Sequence, residues 1–185
     1  MLEVQLPNWE KFEKRFSPKI MNAAMNRTLK RTMMRTRTEI SSIIRKTYVV
    51  KAGDIKSTTF LRAVSRKPAE YELSYTGKRL SVRYYKAQKK RVKSKRGWRT
   101  GVTVKVRKDR GRKLIRGGFY AGGWPVYLRK GKGRTPIQKH SSLAIPQMAA
   151  TKRTVSMAAK FMGKELDRQF TMAMKHSIKT HGAFS

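Results

Sequence analysis

The chain is poor in acid. Ten Asp and Glu residues stand against forty-six Lys and Arg in 185 residues, a formal net charge of +36. It also lacks cysteine altogether, which excludes disulfides, thiolate metal sites and cysteine nucleophiles in one step. A chain without thiols is indifferent to redox state, so this absence leaves the compartment open. No stretch approaches the ~20 consecutive apolar residues that cross a bilayer. The opening MLEVQLPNWEKFEKRF has no continuous apolar run of the kind that begins a secretory signal. These absences predict a soluble chain made in the cytoplasm, with no membrane contact.

Histidine is scarce as well. His140, His176 and His181 have no acid close in sequence to orient them, and the last two read as part of a polar tail. Glu165 and Asp167 lie two apart on a predicted helix and so point in different directions. That spacing fits a solvated face or an intersubunit salt bridge. Gly131-Lys132-Gly133-Arg134-Thr135 lacks the spacing of a phosphate-binding loop. Gly117-Gly118 and Gly122-Gly123 sit between short strands and suit tight turns. A metal-dependent nuclease needs clustered carboxylates, and Glu70, Glu72 and Asp109 are the only central acids. The sequence thus supports no enzyme, no cofactor and no metal site.

What is present is cation, in clusters. Between Glu72 and Glu165 the only acid is Asp109. A monomer so charged repels itself and gathers counterions. One basic tract, 87–99, holds Lys89, Lys90, Arg91, Lys93, Lys95, Arg96 and Arg99. Another, 108–116, holds Arg110, Arg112 and Lys113. Both read as loops projecting from a sheet, because unpaired charge is costly to bury. Three readings stay open for them: contact with a phosphate backbone, contact with an acidic protein surface, or solvation. No base-reading motif is visible, so any nucleic-acid contact would be insensitive to sequence. A second block, containing Phe119, Tyr120, Trp124, Val126, Tyr127 and Arg129, concentrates aromatic area. It suits either a subunit interface or a core beneath helices.

Ser17-Pro18 is a helix start, and Met21, Ala24, Met25, Thr28, Leu29, Thr32, Thr36, Ile40, Ile43 and Ile44 follow at three-and-four spacing. This predicts a helix over 18–47, with threonines weakening its apolar stripe. Period-two runs at 59–64, 71–75, 80–84 and 101–107 predict strands, with shorter ones at 119–121 and 126–129. Met148, Val155, Ala159, Met162, Leu166, Phe170 and Ala173 predict a second helix over 147–177. The fold class is α+β: a long N-terminal helix and a C-terminal helix packed on a mainly antiparallel β-sheet with extended basic loops. The division expected is an arm at 1–17, one domain at 18–177, and a flexible tail at 178–185.

Several blocks in order carry a resemblance. They are Met21-Asn22-Ala23-Ala24-Met25-Asn26-Arg27-Thr28; Gly101 to Val106; Gly111 to Ala121; Val126 to Lys132; Arg134-Thr135-Pro136-Ile137-Gln138; and Ile145-Pro146-Gln147-Met148. Over about residues 18–175 the chain resembles the prophage minor tail protein Z family. The resemblance implies a non-enzymatic virion component at the tail and neck of a tailed phage, assembled in the host cytoplasm. It implies an α+β subunit in a homo-oligomeric ring, a hexamer in related proteins. The ring would complete the tail and join terminator, tube and connector rings through their acidic surfaces, with non-specific contact to DNA in the channel. On this basis Phe119, Val126, Arg129, Pro136, Ile137, Pro146 and Met148 would form fold core and ring contacts. The chain departs from the family at Lys139-His140-Ser141, where an acid and an aromatic are common, and in its unusually basic 89–98 tract. Composition alone offers a different class, a sequence-independent nucleic-acid-binding protein such as a ribosome-associated or packaging factor.

Overall fold

A computed structural model describes residues 16–66, 69–94, 97–120, 126–131 and 133–181. The chain is α+β, with long helices near both ends and antiparallel strands between them. Two compact units share it: residues 1–42, 59–75 and 150–185 form the first, and 43–58 with 76–149 the second.

Helix α1 runs Pro18–Thr47. Pro at the first helical position loses no hydrogen bond there, and the Met21 amide donates to the Ser17 carbonyl at 3.1 Å. Arg45 and Lys46 in the last turn suit the negative end of the helix dipole. Helix α4 runs Lys152–His181. Thr151 caps it: its hydroxyl accepts from the Thr154 amide at 3.4 Å and its carbonyl from Val155 at 3.0 Å. This cap splits the expected 147–177 helix, leaving a separate short helix α3 at Ile145–Ala149. The buried stripe of α4 begins at Thr154, Ala158 and Met162, whereas Val155 is exposed. The periodicity in the sequence is thus one residue out of phase at this end. Rather than ending at residue 177, α4 continues to His181, with Ser177 buried and Ile178 packed on the core.

In the first unit α1 and α4 meet directly. Met21 and Ala24 pack with Phe170, Ala173 and Met174, joined by Phe16, Met25 and Ile178. Burying one such large side chain contributes about 1.5–3 kcal/mol. Further along α1, Thr28, Thr32 and Thr36 are buried at four-residue spacing. The Thr28 hydroxyl donates to the Ala24 carbonyl at 2.7 Å, but the Thr32 and Thr36 hydroxyls find no partner among the described residues. Glu165, expected on a solvated face or between subunits, is instead buried within the unit. Its carboxylate accepts from Gln169 Nε2 at 2.6 Å and pairs with Arg35 Nε at 3.1 Å. The unit also holds a hairpin of β1 (Thr59–Arg66) and β2 (Ala69–Tyr75), where Arg62 faces Glu72 at 3.1 Å.

The second unit contains helix α2 (Ala52–Ser57), α3 and two antiparallel three-stranded sheets. One is ordered β3-β4-β5, from Gln88–Ser94, Gly97–Val104 and Lys113–Ile115. The other is β6-β7-β8, from Phe119–Tyr120, Val126–Arg129 and Ile137–Lys139. Ile44, Tyr85, Val102, Val126, Ile145 and Met148 form the centre of its core. The expected strand at 80–84 is only a bridge between Ser81 and Ser141, followed by a 3-10 turn at Val82–Tyr85. The reason is geometric. Val82 and Tyr85 are both fully buried, and three-residue spacing puts them on one side of a 3-10 turn but on opposite faces of a strand. The Tyr85 hydroxyl donates to the Leu143 carbonyl at 2.8 Å.

The unpartnered hydroxyls in α1 lead to a stability prediction. Thr32→Val keeps the side-chain shape and removes a buried group with no hydrogen bond, so it should stabilise by about 1 kcal/mol. Thr28→Val removes a bonded hydroxyl and should bring no gain. Urea unfolding midpoints measure both, and a clearly destabilised Thr32→Val would show that its hydroxyl is satisfied.

Candidate functional site

The basic tract expected as a loop at 87–99 is in fact a ribbon. Strands β3 and β4 pair antiparallel, with Lys89 opposite Val102, Arg91 opposite Thr100, and Lys93 opposite Trp98. Alternating charge and small residues do not announce a strand, because neither side of this ribbon is buried near its tip. Lys89, Lys90, Arg91 and Lys93 are all exposed, and so are Trp98, Arg99 and Thr100 across from them. Strand β4 pairs with β3 on one side and with β5 on the other, which anchors the base of the ribbon in the sheet.

Period two sorts its side chains. Lys89, Arg91 and Lys93 share one face at roughly 6.7 Å spacing along the strand. The same face carries Trp98, which is 65 % exposed. An aromatic so exposed is uncommon on a solvated surface. The Arg91 guanidinium lies 5.8 Å from the Trp98 ring centroid, and Lys89 Nζ lies 5.6 Å from that of Tyr120. Both are within cation–π range. Lys95, Arg96 and Trp124 lie outside the described residues.

The opposite face of the ribbon is different. Val92 and Gly101 lie on it with Leu114 of β5, the three side by side. A Cβ at position 101 would stand 3.0 Å from Leu114 Cδ1 and 3.1 Å from Val92 Cγ2. Here glycine lets the two apolar side chains close over the strand. Beyond them opens a groove of about 630 Å³. Its apolar lining comes from Val92, Leu114, Ile115, Phe119 and Leu128, and its charges from Arg99, Arg116 and Arg129. No carboxylate lines it among the described residues. Gly117, at φ +70°, makes the turn between β5 and β6 that shapes one wall. The Arg129 guanidinium sits 5.5 Å from the Phe119 ring centroid, which holds it over the groove. Arg116 closed the 108–116 basic tract but was not among the contact residues expected there; the Gly117-Gly118 turn after it was the signal that could have singled it out.

The other expected residues fall into separate places. Arg112 is engaged internally. Its Nε donates to Thr103 Oγ1 at 3.2 Å, and its Nη2 donates to the Thr103 carbonyl at 3.1 Å and to the Lys86 carbonyl. Lys113 lies exposed at the start of β5, and Arg110 is exposed in the preceding loop. Asp109 is claimed by Arg107, with bonds of 2.9 and 2.6 Å. The hydrogen bond from Arg107 holds the Asp109 carboxyl below the usual carboxylate range. In the aromatic block, Val126 is fully buried in the core, while Phe119, Tyr120 and Tyr127 are half-buried. Phe119 and Tyr127 rings lie 6.2 Å apart, tilted by 31°.

The remaining titratable groups offer little chemistry. Among the described residues no three His, Asp or Glu side chains gather to hold a metal. His176 lies beside Arg27, whose Nη1 is 2.8 Å from its Nδ1. Burial lowers the His140 pKa, and the Tyr75 hydroxyl is pushed up to about 12, chiefly by desolvation. No helix is long and apolar enough to cross a membrane among the described residues.

Arg112 and Lys93 are both exposed, and the contrast between a hydrogen-bonded and an unbonded cation is measurable. Arg112→Ala removes bonds to two carbonyls and one hydroxyl, and should cost about 1–3 kcal/mol. Lys93→Ala should change stability by less than about 0.5 kcal/mol. Thermal melts at one salt concentration compare them, and equal effects would show that Arg112 carries no structural duty.

A family model described as Prophage minor tail protein Z (GPZ) matches residues 2–181. No curated protein and no solved structure matches the chain.

Proposed function

The chain belongs to the prophage minor tail protein Z family, and from that premise we propose that it is a ring-forming subunit at the neck of a phage-type tail. Membership makes it a component of a phage tail that contacts other tail components. The reading adds that copies form a ring, completing the tail and joining it to terminator, tube and connector rings. The subunit works by docking rather than turnover. The single observation that supports it best is the exposed cationic ribbon, Lys89, Arg91 and Lys93 on one face, with no carboxylate paired to it in the described residues.

Electrostatics sets the order of events. Copies at +36 each repel at low ionic strength, over a range of about 10 Å at 0.1 M salt. An acidic ring or a length of DNA against the ribbon supplies the missing charge. Assembly therefore proceeds on a partner, and pure protein associates weakly until salt screens it. Sedimentation should show monomers at low salt and larger species as salt rises. A tight hexamer of pure protein at low salt would contradict this account.

A nucleic-acid reading has one observation in its favour, the stacked and exposed Arg91–Trp98 pair. A two-stranded ribbon is of a size to enter a major groove, and an aromatic can stack on an unpaired base. One set of experiments separates the two. In a host producing particles, the K89A/R91A/K93A chain should lower particle yield at least about tenfold while keeping its melting temperature. Duplex binding by the unaltered chain should vanish above physiological salt. Tight sequence-independent binding at higher salt, in a chain missing from purified particles, would favour the nucleic-acid reading.

A further inference from the structure

The groove behind the ribbon is a second binding surface, distinct in chemistry from the cationic face. Arg99, Arg116 and Arg129 stand beside Val92, Leu114 and Phe119. A phosphodiester would use the guanidinium groups and leave the apolar lining idle. An occupant with carboxylates next to aliphatic or aromatic side chains uses both, since guanidinium pairs bidentately with carboxylate and the apolar contacts exclude water. The volume of about 630 Å³ lies in the range of formed ligand clefts.

The chain itself contains such a segment. Residues 1–10, MLEVQLPNWE, carry Glu3 and Glu10 with no Lys or Arg, and intersperse Leu2, Val4, Leu6 and Trp9. Three of the ten acids in the whole chain, Glu3, Glu10 and Glu13, fall before Phe16. Glu72, Asp109 and Glu165 are already paired with arginines inside their own units. A stretch of fifteen residues reaches up to ~50 Å when extended, enough to pass from one subunit to the next. Copies that repel at long range need a short-range attraction between them. Residues 1–10, acidic and apolar ahead of the cations Lys11, Lys14 and Arg15, supply one against an arginine groove, and every copy carries it.

We propose that the groove binds the N-terminal segment, residues 1–10, of a second copy of this chain. Glu3 and Glu10 pair with the groove arginines, and Leu6 and Trp9 cover its apolar lining. The proposal rests on the ring reading only in requiring a second copy.

The absence of cysteine makes a clean test. Full-length chains carrying Leu6→Cys are mixed at raised salt with full-length chains carrying Val92→Cys, which lines the groove on the face opposite the cationic row, and oxidised. A disulfide-linked pair is expected at least about tenfold above a control mixture with exposed Lys19→Cys. The link should disappear when R99E/R116E/R129E is added to the Val92→Cys chain. It should return when that chain meets a Leu6→Cys chain also carrying E3K/E10K. A link that forms only when both cysteines are in one chain overturns the proposal, as does a link insensitive to the charge reversals. Loss of duplex-DNA retention by R99E/R116E/R129E, with no link in the unreversed pair, would assign the groove to phosphate and also overturn it. Particles that assemble normally with R99E/R116E/R129E would remove the groove contact and leave the tail role standing. A chain that cross-links as expected but is missing from particles would do the reverse.

Discussion

The shortage of carboxylate governs how this molecule is held together. With ten acids for forty-six cations, ion pairing cannot satisfy the surface, so the few acids are used where geometry matters. Glu165 is the clearest case. It is buried on α4, bonded to Gln169 and paired with Arg35 of α1. The apolar cluster at Met21, Ala24 and Phe170 supplies burial, but the threonine stripe beyond it offers little to distinguish one helix register from the next. A buried charge that must find its guanidinium does distinguish them. Because Arg35 remains half exposed, the pair adds more to alignment than to stability. Asp109 in the second unit makes only a local, exposed pair with Arg107 two residues away.

The remaining cations are left to the surface, and the sheets decide which way they face. In β3, a plain alternation of residues puts one row of charge on one side and brings Val92 over Gly101 on the other. One ribbon therefore presents two unlike surfaces, one a row of cations beside the exposed Trp98 and one with Val92 and Leu114 closed over Gly101. Neither depends on a loop holding its shape, because the backbone ladder fixes both.

Where the sequence was legible, several signals agreed. Helix α1 was readable from end to end since a cap, a proline and a three-and-four period coincide, and the expected 18–47 matches Pro18–Thr47. The strands β1, β2, β6 and β7 were visible through their β-branched and aromatic content. Of the ribbon only the base was, since the predicted 101–107 run overlaps β4 at Gly101–Val104; β3 and the first half of β4 were not, because a strand exposed on both faces has no apolar period to detect. The Val82–Tyr85 turn was mistaken for a strand because its two buried residues are told apart from alternation only by knowing that both are inside. The Thr151 cap was hidden by the apolar residues flanking it, which continue a helical pattern across the break. At the candidate site, composition identified the cationic tracts but could not separate Arg112, bound to backbone carbonyls, from Lys93, which stands in solvent. That distinction is made by contacts far apart in the chain.

Strand β3 lies at the edge of its sheet, with β4 on one side only. Open edges invite another chain to add a strand, the usual beginning of unwanted fibrils. Here four of its seven positions are Lys or Arg. A second copy approaching edge to edge would bring those charges into opposition across a gap of about 5 Å. The same cations that suit an acidic neighbour thus act as a guard on an open border, turning away the subunit's own kind until the right surface arrives.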